Sequence, residues 1–486
     1  MTRSLDTEAP HGGTLKQACL PYPEVLAQSV SVIAPSTVPA AIVGLIFVTA
    51  GNGTWLSFLL GMIGMALVGL NINQFARRSA SPGSLYTYIV QGMGPTAGIM
   101  GGWALMFAYT LTGMSTLCGF AVIADLLLGQ FFGLQLGALG WMVIGAGVSG
   151  WVASRNVQLS AKAGLILEGF AILLVTALGI IVWSHKGFAV DHAQLTLQGA
   201  TPGGIMLGVV LVIFGFSGFE SSTSLGEEAK DPLRSIPRSI NQSVIISGVF
   251  FIFMAYIVVF GFNGTGVGLS GNEAPLDHLA SYFGLSWLGT LINIGVATSF
   301  FACTLASVNS TARILFSMSR NGLFTDALGA AHAENQTPHV AVAVAALLTL
   351  ALPVGAWFAG FSAFESQGNF GTMASFGFIA VYVLICLAAP LYLRNIGKLT
   401  IGALLCSGAA LAFMGVLVVG IVGIPGSATF PLISYPTSLL LGMFALYMGA
   451  GLAWLYLESA RRPRMIAQLE NAVEDVHLRF AAIPAE

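Results

Sequence analysis

Long apolar stretches recur along this chain and restrict its fold more than any other feature. A helix needs about 20 apolar residues to cross the ~30 Å hydrocarbon core of a membrane. Only 8% of the 486 residues are charged and 56% are apolar, which excludes an ordinary soluble globular protein. We therefore expect an all-α integral membrane protein with twelve transmembrane helices, near residues 25–50, 54–76, 96–128, 134–153, 158–183, 203–226, 239–262, 287–316, 339–360, 370–393, 398–424 and 432–458.

The basic residues predict how these helices are oriented, because lysine and arginine collect in cytoplasmic loops. If both termini are cytoplasmic, every lysine and arginine except Lys186 falls on the cytoplasmic side. We expect a multi-pass protein of the cell membrane, plasma or inner, with cytoplasmic tails at residues 1–22 and 459–486. The second tail has apolar residues at helical spacing, which is typical of an amphipathic helix on the membrane surface.

Two of the twelve stretches contain residues that interrupt a helix. Residues 33–39 place two prolines and two hydroxyls in the first stretch, and residues 214–220 place Gly215, Gly218 and Glu220 in the sixth. Proline removes a backbone donor, and an acid is costly in hydrocarbon. Such positions usually mark a binding site, although simple kinks are an alternative interpretation.

The interruptions occur at corresponding positions of two halves, residues 23–185 and 203–396. This arrangement predicts a secondary transporter with two inverted five-helix repeats, broken helices 1 and 6, and a substrate near the membrane midplane. Residues 397–458 then supply two extra helices.

Several motifs carry a resemblance to a known family. The most specific is Phe214-Gly-Phe-Ser-Gly-Phe-Glu220, which is followed by Gly226-Glu-Glu-Ala-Lys-Asp-Pro232. Residues 83–88 and 306–313 add further matches. The chain resembles the amino acid-polyamine-organocation (APC) superfamily of permeases over roughly residues 25–395. The resemblance implies transport of amino acids or related amines by alternating access.

The chain departs from the family pattern at two places. Many such permeases have Gly-x-Gly in the first helix, whereas this chain has Ala34-Pro35-Ser36. Some proton-coupled members have a lysine in helix 5, and the matching position here is Ala171. We therefore do not expect proton coupling through a helix 5 lysine in this chain.

Substrate-binding candidates follow from the chemistry of an amino acid. Half-helix ends offer backbone N–H groups to its carboxylate and carbonyls to its ammonium group. The resemblance adds an aromatic lid at Phe214 and Phe216, for which ordinary packing is the alternative. The candidate substrate-binding residues are Ala34, Ser36, Thr37, Phe214, Gly215, Phe216, Ser217, Gly218, Tyr109 and Ser375.

Four residues are candidates for ion coupling. Glu168 lies near the middle of the fifth stretch, where a carboxyl is protonated or paired, so it suits proton coupling. A protonated carboxyl that only bonds to a neighbouring helix is the alternative. Glu220 follows the sixth-helix break, and stabilising that break is its favoured role. Thr304 and Ser307 present hydroxyls that would suit sodium, although such hydroxyls often bond to their own helix. The coupling ion, proton or sodium, stays open.

The loop after helix 6 also predicts a gate. Glu228 or Asp231 could pair with arginines of neighbouring loops at the cytoplasmic mouth, and a solvated loop is the alternative.

Other classes of protein find little support in the sequence. All seven histidines lie in tails, loops or at the edges of the apolar stretches, so a membrane-embedded enzyme is a weak alternative. An exchanger of polyamines or organocations is a stronger alternative than an enzyme. The scarcity of Asp and Glu within the apolar stretches nevertheless favours zwitterionic substrates. We expect no enzyme activity, cofactor, metal or nucleic acid. The expected partners are a small amino acid or amine and the lipid bilayer, and the oligomeric state stays open.

Overall fold

The fold is known from a computed structural model that describes residues 14–270, 274–427, 429–463, 466–471 and 473. The remaining parts of the two predicted tails lie outside the described residues. The described chain is helical, and its α-helices are α1 (Tyr22–Ile33), α2 (Thr37–Ala41), α3 (Val43–Ala50), α4 (Thr54–Ala76), α5 (Leu85–Met93), α6 (Pro95–Phe132), α7 (Ala138–Arg155), α8 (Val157–His185), α9 (His192–Leu195), α10 (Pro202–Phe216), α11 (Pro232–Phe262), α12 (Pro275–Tyr282), α13 (Ser286–Arg320), α14 (His339–Phe358), α15 (Ala363–Asn395), α16 (Ile401–Val422) and α17 (Thr437–Arg461).

Ten helical segments in the described ranges are long and apolar enough to cross a membrane, compared with the twelve that the sequence predicts. The difference has two sources. The predicted first helix is divided, and its first part, α1, has only 12 residues. The predicted fourth helix, α7, has 18 residues and ends on Arg155, which lowers its mean hydropathy.

The first predicted break is present between α1 and α2. Ala34 has a left-handed backbone, with φ 49° and ψ 61°, and its N–H donates to the carbonyl of Val30. Pro35 follows and has no N–H to continue the ladder. The helix restarts at Thr37, whose N–H donates to the carbonyl of Ala34.

The second predicted break follows α10. Ser217 leaves the helical conformation with ψ 136°, and Gly218 has φ +87°. A Cβ atom on Gly218 would lie only 2.1 Å from Cγ1 of Val32, so the close approach of α1 also requires glycine here. The chain continues as a 3₁₀ turn at Ser221–Leu225.

The two breaks lie side by side. The Ser221 hydroxyl donates to the carbonyl of Gln28, and the N–H of Ser222 donates to the hydroxyl of Ser29. Because α1 is thereby tied to the segment after α10, the interrupted parts of the two helices form one region in the middle of the fold.

Long helices surround this region. α6 packs along α13 and α15, α1 packs on α8, α11 and α13, and α10 packs on α3 and α4. α16 and α17 lie at the periphery, where large side chains such as Leu405 and Leu446 are exposed. A lipid environment explains this exposure, because it would be unfavourable in water.

The first and last parts of the described chain, residues 14–20 and Val473, lie on one face of the molecule, which we call the terminal face. It comprises residues 14–20 and the connections at 77–84, 226–231 and 321–338. Part of the predicted C-terminal amphipathic tail lies here. Leu469 and Val473 are buried against the main core, so this part of the tail packs on protein.

Candidate functional site

A small cavity lies between the two breaks. Its volume is about 50 Å³. Its walls come from both broken helices and from α6, α13 and α15, and the lining residues are Val32, Ile33, Ala34, Thr37, Val38, Ala41, Ile42, Thr112, Ser115, Thr116, Phe214, Gly215, Ser217, Phe300, Cys303 and Gln367.

The breaks leave backbone carbonyls without partners at this cavity. The carbonyls of Ile33, Gly215 and Ser217 accept no hydrogen bond from any described residue, and all three residues line the cavity. Bare carbonyls inside a membrane protein are tolerated where they line a cavity. Their partial negative charge suits a bound ammonium group.

The cavity gathers half of the predicted substrate-binding residues. Those that line it are Ala34, Thr37, Phe214, Gly215 and Ser217. The other five predicted substrate-binding residues are not among its lining residues: Ser36, Phe216, Gly218, Tyr109 and Ser375.

The backbone donors predicted for a substrate carboxylate are already used. The N–H of Ala34 donates to the carbonyl of Val30, and that of Thr37 donates to Ala34. Phe216, predicted as part of a lid, packs on Phe251 with ring centroids 5.0 Å apart. Of the two predicted lid rings, only Phe214 reaches the cavity.

Glu168 is fully enclosed between α2 and α13. Its Oε2 accepts a hydrogen bond of 2.6 Å from the Ser299 hydroxyl, and its Oε1 lies 3.5 Å from the backbone nitrogen of Ser36. Ser36 therefore faces Glu168 rather than the cavity. The carboxyl therefore links α8 to the first break and to α13.

Glu220 is held by two tyrosines. Tyr109 donates to its Oε1 at 2.7 Å, and Tyr382 donates to its Oε2 at 2.6 Å. Tyr382 also accepts a 3.2 Å hydrogen bond from the N–H of Gly218. This cluster ties the second break to α6 and α15. It agrees with a stabilising role for Glu220 and makes Tyr109 part of that support.

The hydroxyls considered for sodium are bonded within the protein. Thr304 donates to the carbonyl of Phe300 and lies 2.9 Å from the Thr116 hydroxyl. Ser307 lies 4.0 Å from the sulfur of Cys303. In the described part of the chain, no group of three or more His, Cys, Asp or Glu side chains has the arrangement of a metal site.

A buried ion pair lies on the terminal side of the cavity. Arg313 of α13 contacts Glu228 at 2.7 Å, and both side chains are nearly inaccessible to solvent. Asn309 also accepts hydrogen bonds from Arg313. The predicted gate residue Glu228 thus pairs with an arginine of a helix rather than of a loop. Asp231 forms only an exposed contact with Arg234.

Residues 14–20 form a strap over this ion pair. The N–H groups of Cys19 and Leu20 both donate to the carbonyl of Glu228 at 2.8 Å, and the N–H of Lys230 donates to Leu20. Lys16 adds a bond to Gln158 at the start of α8. Burial, together with the nearby Glu228 carboxylate, raises the pKa of the Cys19 thiol above its usual value.

Several important residues were missed at the level of sequence. They are Tyr382, Ser299 and Gln367, which belong to α15 and α13. Tyr382 offered a weak signal, because a phenol inside an apolar helix needs a partner. Ser299 and Gln367 offered none, since small hydroxyls and amides occur at many positions in membrane helices.

Comparisons with known proteins agree with this architecture. The amino acid permease family profile matches residues 27–455. The chain is 25% identical to the branched-chain amino acid permease BcaP of Bacillus subtilis (strain 168), over 70% of this chain and 74% of that protein. It is 26% identical to the low-affinity putrescine importer PlaP of Escherichia coli (strain K12), over 68% of this chain and 72% of that one.

A solved structure shares the fold. The structure of MhsT in complex with L-phenylalanine superposes with a TM-score of 0.57 at 15% sequence identity, covering 83% of this chain and 98% of that chain.

Proposed function

This chain belongs to the amino acid permease family, and from that premise we propose that it is a secondary active transporter of amino acids or related amines. The observation that carries the proposal is the cavity between two broken helices, where three carbonyls accept no hydrogen bond from any residue that the structure describes. A substrate ammonium group can replace its hydration there without an ionised side chain. Release stays possible because no strong ion pair must be broken.

The transport cycle is alternating access. On the terminal side, three layers separate the cavity from solvent: the Glu220 cluster, the Glu228–Arg313 ion pair and the strap of residues 14–20. Opening this side requires α1 and the segment after α10 to move away from α13 and α15. The hydrogen bonds of these layers are the contacts that such a movement would break.

The predicted topology forms part of the proposal. Twelve helices cross the membrane, with residues 23–185 and 203–396 as inverted repeats and α16 and α17 outside them. Each half begins with an interrupted helix, which supports the repeat. The terminal face is cytoplasmic in a plasma or inner membrane, because it carries basic residues such as Arg78, Lys230 and Arg320.

Glu168 is the proposed coupling group, with the proton as the coupling ion. Its carboxyl contacts α13 and the first break together, so a change in its charge alters both contacts. The hydroxyls considered for sodium contact other groups of the protein, Thr304 with Thr116 and Phe300 and Ser307 with Cys303, which favours the proton. An enzyme is not supported, since the family consists of transporters.

Reconstituted transport tests this function. The purified protein would be placed in proteoliposomes and supplied with labelled amino acids and amines, while proton and sodium gradients are imposed separately. We expect uptake of at least one amino acid that rises with an inward proton gradient. Absence of uptake for every amino acid and amine would contradict the transporter function, and dependence on sodium alone would contradict proton coupling.

A further inference from the structure

The composition of the cavity carries a more specific conclusion, which rests on the proposed function. We propose that this site selects neutral α-amino acids with a short, uncharged side chain, of the size of alanine or serine, and rejects cationic amino acids and polyamines. The charge, the polar groups and the size of the cavity all support this selectivity.

The lining of the cavity is uncharged. None of the lining residues is ionisable as an acid or base at neutral pH, with the buried thiol of Cys303 as the nearest exception. Glu168 and Glu220, the acids nearest to the breaks, bond to Ser299 and to two tyrosines and do not line the cavity. A zwitterion brings its own counter-charge. The second ammonium group of lysine or putrescine would be buried without one, which costs several kcal/mol.

The polar groups are placed for a zwitterion. The partner-free carbonyls of Ile33, Gly215 and Ser217 provide the ammonium end. On α15, Gln367 lines the same cavity, and its carboxamide has no hydrogen-bond partner among the described residues. Its N–H groups can donate to a carboxylate. Gln367 is therefore assigned as the carboxylate-binding residue in place of Ser36 and Thr37.

The remaining hydroxyls are used internally. Ser115 donates to the carbonyl of Gln367 at 2.7 Å, Thr112 donates to Ala108 at 2.9 Å, and Thr37 donates to Ala34 at 2.8 Å. The surface left for a substrate side chain is consequently apolar, and Val38, Ala41 and Ile42 supply much of it.

The cavity is also small. The cavity measures about 50 Å³, and about 10–15 Å³ of such volume holds one water molecule, so it has room for only a few water-sized groups. Two aromatic rings bound it, and each packs closely against a glycine of a neighbouring helix. A Cβ atom on Gly371 would lie 2.5 Å from the Phe214 ring, and one on Gly119 would lie 2.8 Å from the Phe300 ring. These contacts favour short side chains over leucine or phenylalanine.

Competition during transport tests the selectivity. Proteoliposomes loaded with unlabelled alanine would take up labelled alanine by exchange, in the presence of glycine, serine, leucine, phenylalanine, arginine or putrescine. We expect glycine and serine to compete at concentrations at least roughly tenfold below those of leucine and phenylalanine. Arginine and putrescine should not compete.

The outcomes separate the two proposals. If arginine, putrescine or a large neutral amino acid is taken up in preference to alanine, the selectivity is wrong although the protein is a transporter. If none of the tested compounds is taken up, the transport function itself is contradicted.

A charge substitution tests the assignment of Gln367. The variant Gln367→Glu keeps the shape of the side chain and adds a carboxylate beside the cavity. We expect exchange of alanine to require roughly tenfold more substrate, and arginine to begin to compete. Gln198→Glu, on an exposed connection away from the cavity, is the matched control and should leave both properties unchanged. Identical behaviour of the two variants would overturn the assignment.

Discussion

Two ionisable side chains in the middle of this protein have specific hydrogen-bonding or charged partners. Glu220 relies on Tyr109 and Tyr382, and Arg313 relies on Glu228 and Asn309. An unpaired charge at this depth would cost several kcal/mol. Single substitutions at these residues should therefore have large and specific effects.

Glu168 provides the clearest test at the residue scale. Glutamine keeps the size and hydrogen-bonding groups of this side chain but cannot bind and release a proton. We expect Glu168→Gln to abolish accumulation driven by a proton gradient while substrate exchange continues, measured with labelled substrate in proteoliposomes. Glu334→Gln, on the exposed connection between α13 and α14, is the control and should behave as the wild type. Unchanged accumulation by Glu168→Gln would reject the coupling role.

At the scale of elements, the two broken helices depend on different local chemistry. Proline and a left-handed alanine end α1, whereas α10 ends where Gly218 adopts a positive φ and α1 comes into contact. The first break is thus largely a property of its own residues. The second also depends on the neighbouring helix.

Gly218 should consequently be intolerant of even one added carbon. In Gly218→Ala the methyl group would meet Val32 at 2.1 Å, and the positive φ would add strain. We expect a loss of about 1–3 kcal/mol of stability, seen as a lower midpoint of thermal unfolding in detergent. Gly402→Ala, in α16 with no atom within 4 Å, should be neutral or slightly stabilising. Equal midpoints for the two variants would contradict this account.

The strap of residues 14–20 is a second element whose stability can be measured. Its hydrogen bonds to the backbone of Glu228 depend on the position that the Arg313 ion pair gives to that residue. We expect Glu228→Gln to increase the rate of tryptic cleavage after Lys16 several-fold, followed by mass spectrometry of the purified protein.

The matched control is Asp231→Asn, because Asp231 contacts Arg234 only at the exposed surface. Its cleavage rate should stay at the wild-type value. If both variants are cleaved equally fast, or neither differs from the wild type, the ion pair does not hold the strap.

At the scale of the whole molecule, the arrangement of barriers decides the conformational state. The cavity is separated from the terminal face by the Glu220 cluster, by the Glu228–Arg313 pair and by the strap, and part of the C-terminal tail packs on the same face. The molecule is therefore closed toward its terminal face. In the proposed alternating access, movement of the broken helices would break the hydrogen bonds and the ion pair of these layers.

The topology can be tested with fusions that report sidedness. Alkaline phosphatase is active only outside the cytoplasm, so we expect activity when it is fused after Gln198 and none when it is fused after Glu334. These two positions lie on opposite faces. The carbonyl of Gln198 accepts a hydrogen bond from Asn52, which precedes α4, and the other end of α4 reaches the terminal face. Glu334 lies in the 321–338 connection of the terminal face. The reverse pattern would invert the orientation, and activity at both positions would contradict the crossing count.

The positions of the helices and of their two breaks follow largely from local properties of the chain. Hydrophobic length produces the helices, because a membrane leaves few other ways to pair backbone groups. Pro35 and Gly218 mark the interruptions, because their effects on the backbone are local. For the same reason, the sequence alone predicts a binding site between residues 33–37 and 215–218.

Which side chains line and support the cavity depends on how distant helices pack. Ser36 was predicted to bind substrate and instead faces Glu168, while Gln367 lines the cavity from a helix that gave no signal. Tyr382 reaches Glu220 across 162 positions of the chain. Such pairs depend on which faces of distant helices pack together, and in a membrane nearly every face is apolar, so hydrophobic patterning alone cannot identify them.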